Sequence, residues 1–170
     1  MNITILVIIL FVIIIALILA TKFFEKKKET TKFPYKKKDY LLSVAEKEFY
    51  NILRIVGEKN NYLLFAKVRL EDLLWIPKHT DNRGGLRNRI KSRHVDFLIC
   101  DKDDVRPLLV IELDDSSHER TNRKDRDEFV NRALHDAGLP ILHQKVQHNY
   151  IPGKLVEEIA RLIENQKIKC

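Results

Sequence analysis

Residues 93–118 confine this chain to a sheet-bearing fold. Val95, Phe97 and Ile99 alternate with Asp96 and Leu98, and Leu108 to Leu113 is a short apolar run. Each has the length and composition of a strand, and Asp101 to Pro107 between them reads as a hairpin loop. A mostly buried strand has no packing use for a lone carboxylate, because an unpaired buried charge is costly. Yet Asp96 lies inside the first strand and Glu112 near the end of the second. Acids held on adjacent strands can share one divalent cation, the usual arrangement for Mg²⁺ in phosphoryl chemistry. The alternative is that both acids mark strand ends and face solvent. The metal reading is favoured, since ionisable groups inside apolar strands are frequent functional groups.

Val95-Asp96-Phe97, then Ile111-Glu112-Leu113-Asp114 and His118, resembles the PD-(D/E)XK nuclease superfamily. The pattern is closer to the branch related to very-short-patch-repair endonucleases, and closer still to a bacterial family of domains of unknown function, DUF2726. The resemblance covers roughly Tyr40 to Tyr150. It implies an α/β, restriction-endonuclease-like core: a mixed four-stranded sheet flanked by helices in the order αβββαβ, with a Mg²⁺- or Mn²⁺-dependent phosphodiesterase site. The superfamily's lysine, two residues after the glutamate, is Asp114 here. Members of that branch often carry an acid at this position and a histidine further on. On this resemblance an acid of the first helix, here Glu46, approaches the metal. Lys124 or Arg126, both near the start of the helix after the Glu112 strand, would replace the missing lysine and stabilise charge on the phosphate.

The N-terminus has a different character. Ile3 to Ala20 is an eighteen-residue run without a charge, just long enough as a helix to cross the hydrocarbon core. No basic region precedes it and no small-x-small cleavage site follows, which favours an uncleaved anchor over a signal peptide. Lys22 to Lys38 holds eight Lys and two Glu. The positive-inside rule therefore places the C-terminal domain in the cytoplasm, on a bacterial inner membrane. Removing this segment from the totals of 31 basic and 24 acidic residues leaves 23 against 22, so the excess charge suits anionic lipid headgroups and is no evidence for nucleic acid. The divisions expected are an anchor at 1–21, a basic linker at 22–39 and a nuclease-like domain at 40–170. Two cysteines without a CxxC pair indicate neither a disulfide framework nor a structural zinc site.

Along the domain, Ser43-Val44-Ala45-Glu46 matches a capping box, and Ala45, Phe49, Ile52, Leu53 and Val56 follow at helical spacing to an end at Gly57. Glu46 thus has two readings, cap or site, and both stand. Tyr62 to Leu70 reads as a strand with Leu64, Ala66, Val68 and Leu70 on one face, and Glu71 to Ile76 as one helical turn. Arg83, Arg87, Arg89, Lys91 and Arg93 form a basic cluster just before the Asp96 strand. A solvated helix face would look the same; adjacency to the acids inclines the cluster toward phosphate contact. Thr121 to Ala137 carries an apolar stripe closed by Gly138, Leu139 to Val146 is a fourth strand, and Pro152 opens an amphipathic helix. Gln144 reads as solvent-facing.

In a live site Asp96 and Glu112 hold the metal, with the Leu113 carbonyl as a third ligand. Asp114 shares Glu112's face of the strand and either binds a second metal or orients His118. The His118 imidazole, which ordinarily titrates near neutrality, then serves as general base or acid. His79, His94, His135, His143 and His148 show no metal-ligand spacing and read as surface or core residues.

Two functions follow. The first is a membrane-anchored, metal-dependent nuclease acting on nucleic acid, with DNA favoured. The second is an inactive nuclease-fold module that binds nucleic acid or a protein partner at the membrane. A sensor built around the anchor is a weaker third, and a single span without polar residues argues against transport.

Overall fold

The computed structural model describes residues 2–26, 32–114, 121–147 and 149–167, with the side chains of 23–26, 121–126 and 166–167 outside the description. The chain divides into two compact units, 1–39 and 40–170. The first contains helix α1 (Ile3–Lys26). Its stretch Ile3–Lys22, with a mean hydropathy of 3.6, is long and apolar enough to cross a membrane.

The second unit begins with α2 (Val44–Asn60). Ser43 caps it through the expected box: its Oγ accepts the Glu46 N–H, and a Glu46 carboxylate oxygen accepts the Ser43 N–H. The helix does not end at Gly57. Asn61 closes it instead in the left-handed region, at φ 60°. Gly57 is buried inside the last turns, where a Cβ would stand 3.2 Å from the Tyr62 carbonyl oxygen. Its missing side chain serves a close approach rather than a stop signal.

Strand β1 (Tyr62–Arg69) is followed by the short helices α3 (Leu70–Leu73) and α4 (Arg83–Ile90), then β2 (His94–Asp101) and β3 (Pro107–Asp114). Helix α5 (Thr121–Asp136) crosses over to β4 (Ile141–Lys145), and α6 (Pro152–Lys167) completes the unit. The strands lie in the order β1-β2-β3-β4, with the first three antiparallel and β4 parallel to β3. The result is an α/β fold with a mixed, open four-stranded sheet flanked by helices. The expected order αβββαβ is present, with α3 and α4 inserted between the first two strands and α6 added at the end.

Each face of the sheet has its own core. Phe49, Leu53 and Val56 of α2 and Leu155, Ile159 and Ile163 of α6 pack with Phe97, Ile99, Leu109 and Ile111 on one face. Leu70, Ile90 and Leu134, from α3, α4 and α5, pack with Val95, Leu98 and Val110 on the other. A sheet covered on both faces reads as near-continuous apolar strands, which is why Phe97 to Cys100 are all buried. Phe97 is fully buried and meets Phe49 edge-on at 5.7 Å. Phe97→Ala is expected to cost about 3–5 kcal/mol in urea unfolding; a loss under about 1 kcal/mol would contradict this packing.

One irregularity positions everything that follows. Ala66 and its partner Phe97 belong to the α2/α6 core, whereas Val68 and its partner Val95 belong to the other. The in–out alternation therefore slips by one residue on both strands, at Lys67 and Asp96. Lys67 has φ 56°, in the left-handed region that costs a non-glycine residue about 1–3 kcal/mol. The expectation that Leu64, Ala66, Val68 and Leu70 share a face fails at this point.

Candidate functional site

The slip turns Lys67 and Asp96 toward each other and toward the start of α2. The Lys67 ammonium donates to a Glu46 carboxylate oxygen at 2.6 Å and to Asp96 Oδ1 at 2.7 Å. Asp96 Oδ2 accepts the Leu113 amide N–H at 3.0 Å. Glu112 stands one residue beyond the Phe97–Ile111 pair on β3, as Asp96 does on β2, so the two acids are neighbours on adjacent strands. Lys67, Glu46 and Asp96 are each about one-fifth exposed (17–20%), so their mutual attraction is only partly screened.

Electrostatics separate the acids. Burial pushes the Asp96 carboxyl up, but the Lys67 ammonium and the Leu113 amide outweigh it and hold the group below the usual carboxylate range. Glu46 follows the same pattern: burial opposes ionisation, and Lys67 and the Ser43 amide more than offset it. Lys67, whose charge burial disfavours, is held above its ordinary value by the hydrogen bonds to Asp96 and Glu46. Glu112 lacks an equivalent cation among the described residues. Burial, then the charge of Asp96, pushes it up to about 8. At neutral pH the site therefore holds one ionised acid beside one protonated acid, a difference by which environments assign opposite proton roles.

Glu46 caps α2 and also reaches Lys67. One oxygen completes the capping box and the other accepts from Lys67. Among the described residues the cation at these acids is Lys67 on β1; the sequence points to Lys124 or Arg126 on α5. Those two fall in the first turns of α5, with side chains outside the description. A lysine among Leu64, Ala66 and Val68 gives one faint signal, a charge in an apolar strand. The Leu113 amide, beside the carbonyl expected to face a metal, is the group that holds Asp96 Oδ2.

His118 lies outside the described residues. Among the described residues Asp114 is partnered by His143 of β4, whose Nδ1 is 3.2 Å from Asp114 Oδ2 and whose Nε2 is 2.9 Å from Asn131 Oδ1 on α5. Ligand spacing gives no hint of His143; its relation to the acids depends on the parallel register that brings it opposite Glu112. Gln144 donates to the Lys145 carbonyl. Of the basic cluster, Arg87 pairs with Glu71, and the Arg89 and Arg93 guanidiniums lie over the Phe129 ring at 3.8 and 4.9 Å. Cys100 is buried, its thiol pushed up to about 11 by that burial, and is no candidate nucleophile.

Among the described residues no three His, Cys, Asp or Glu side chains form a ready ligand set. Two protein carboxylates are nonetheless the number by which Mg²⁺ is commonly held, the remaining positions going to water and substrate phosphate. Asp96 and Glu112 fit that donor set, since a proton now occupies what a cation would neutralise.

No curated protein and no solved structure matches the chain. A family model described as a protein of unknown function (DUF2726) matches residues 38–162, a span that includes Glu46, Lys67, Asp96, Glu112 and His143. The chain belongs to the DUF2726 family.

Proposed function

We infer that this is a membrane-anchored, metal-dependent nuclease with a restriction-endonuclease-like core, hydrolysing phosphodiester bonds in nucleic acid, DNA in the first instance. The observation that carries the reading is the Asp96–Glu112 pair: two partly buried acids side by side on β2 and β3, where burial and the Asp96 charge disfavour ionisation of Glu112. Asp96 and Glu112 would hold Mg²⁺ or Mn²⁺, which when bound supplies Lewis-acid polarisation of a phosphoryl oxygen and acidifies a water. The remaining work falls to the chain itself. The Leu113 amide and Lys67 fix the orientation of Asp96. Lys67 adds a positive charge at the acid cluster, the role that the superfamily gives to the residue here replaced by Asp114. Asp114 and His143 form a proton-accepting and proton-donating pair on the strand ends beside Glu112. The positive-inside bias of 22–38 supports a cytoplasmic domain held at an anionic membrane surface.

One observation favours the second function, an inactive module binding nucleic acid or a protein. The Lys67 ammonium already pairs with both Asp96 and Glu46, so the cluster has an internal cation.

The full chain in detergent, incubated with supercoiled, linear and single-stranded DNA and with RNA, separates the two. Cutting with Mg²⁺ or Mn²⁺, abolished by EDTA and in both Asp96→Ala and Glu112→Ala, is the expected result. Undiminished cutting by either variant would overturn the assignment. Binding without cutting would leave the second function.

A further inference from the structure

Away from the acids, the segment after α3 and the outer sides of α4 and α5 enclose a groove of about 840 Å³. That volume suits a drug-sized or nucleoside-sized ligand. Trp75 borders it and is 82% exposed, although its neighbours Leu73, Leu74 and Ile76 pack inward against the α4/α5 core. An indole turned to water from an otherwise inward-packed segment offers a flat, open face at the groove's edge. Most of the remaining lining is apolar, Pro77 and Ala133 included, and such side chains meet a planar ring by its faces. Phe129, also in the lining, already carries the Arg89 guanidinium at 3.8 Å.

Charge selects the ligand. Residues 83–93, α4 and its exit, contain five cations (Arg83, Arg87, Arg89, Lys91 and Arg93) and no acid; Arg89 lines the groove itself, and Arg87 is paired with Glu71. The α5 wall carries Glu128, Arg132 and Asp136, with Arg132 taken up by Asp136 at 3.8 Å, so Glu128 is left to repel a phosphate. A polyanion bearing flat rings therefore fits one way round, phosphates along α4 and ring inward. Arg93 is three residues from Asp96 on continuous chain, about 10 Å at roughly 3.3 Å per extended residue.

We propose that this groove receives an unpaired base of the nucleic-acid strand, stacked on Trp75, with the flanking phosphates along α4. It rests on the reading of nucleic acid as the substrate and names a strand opened near the cut as its form. Duplex would have to expose a base first, at an unstacking cost that single strands and damaged pairs avoid.

Trp75 is the chain's one tryptophan, so its emission reports this groove alone. Full-length protein in detergent with EDTA, which prevents hydrolysis, is titrated with a short single-stranded oligonucleotide, its abasic counterpart and a paired duplex. Saturable quenching by the single strand, weaker with duplex and absent with the abasic strand, is expected. Trp75→Ala should weaken single-strand binding about tenfold or more, read by anisotropy of a labelled strand, and Trp75→Phe should retain most of it. Trp75 is exposed, so neither change threatens the fold. Binding with unchanged Trp75 emission would overturn the groove while leaving the acid site standing. Quenching without metal-dependent cutting would leave the groove and remove hydrolysis. No binding of any strand would overturn the groove, and cutting with Mg²⁺ would then support the acid site without it.

Discussion

Lys67→Met is expected to destabilise the domain by about 3–5 kcal/mol at neutral pH, the cost of removing one partner from a largely buried ion network. Methionine keeps the aliphatic stem, so the loss isolates the ammonium. Without it, Glu46 and Asp96 face each other with no cation between them, and Glu112 adds a third carboxyl. The sign with pH follows from the direction in which each group is displaced. Glu46 and Asp96 lie below their ordinary values of 4.5 and 3.8. Their contribution is therefore present above those values and lost as pH falls through the depressed ones. Lys67 lies above 10.5, so its contribution is present below that value and lost as pH rises through the elevated one. The deficit of the variant should therefore be full between about pH 4.5 and 10.5 and shrink outside that window. Millimolar Mg²⁺ should restore part of it, by substituting a divalent cation for the lost ammonium. Urea unfolding across pH reads all three features, and wild-type stability at pH 7 would contradict the network.

Glu112→Gln should do the reverse. The Glu112 carboxyl is pushed from 4.5 to about 8, so the fold favours its protonated form. That contribution is complete below about 4.5 and is lost as pH rises through about 8. Glutamine has the shape of the protonated acid and does not titrate. The variant should therefore gain on wild type as pH rises over this interval and hold its advantage above it. A tenfold change in proton affinity is worth roughly 1.4 kcal/mol, so an advantage of a few kcal/mol at about pH 9 is expected. Equal melting temperatures of the two proteins from about pH 5 to 9 would mean that Glu112 is not held protonated.

Much of the fold is legible in the sequence because its signals are periodic. Phe49, Leu53 and Val56 at helical spacing, the Ser43–Glu46 box, and the apolar runs around Val95 and Leu108 each act over a few residues, and each produces the expected element. The acids Asp96 and Glu112 are legible for a related reason: a charge inside an apolar run conflicts with burial and so draws notice. Lys67 breaks the same rule but is hard to see, because the run around it alternates too well. Its importance arises from a backbone slip at φ 56° and from Glu46, 21 residues away in sequence. His143 is invisible in the sequence because only the β3–β4 register brings it opposite Glu112. Gly57 mimics a helix stop, whereas the close Tyr62 carbonyl is what requires a glycine there, and α2 runs on past it.

The most direct test of the cation-seeking acid pair is a calorimetric titration of Mn²⁺ into the full chain at pH 7, run in two buffers of different ionisation enthalpy. One site should appear, with uptake by the buffer of up to about one proton released from Glu112. Asp96→Ala should abolish the site, and Glu112→Gln should weaken it and eliminate the proton release. Binding that is unchanged in both variants, or no binding to the wild-type chain, would contradict a metal centre at Asp96 and Glu112.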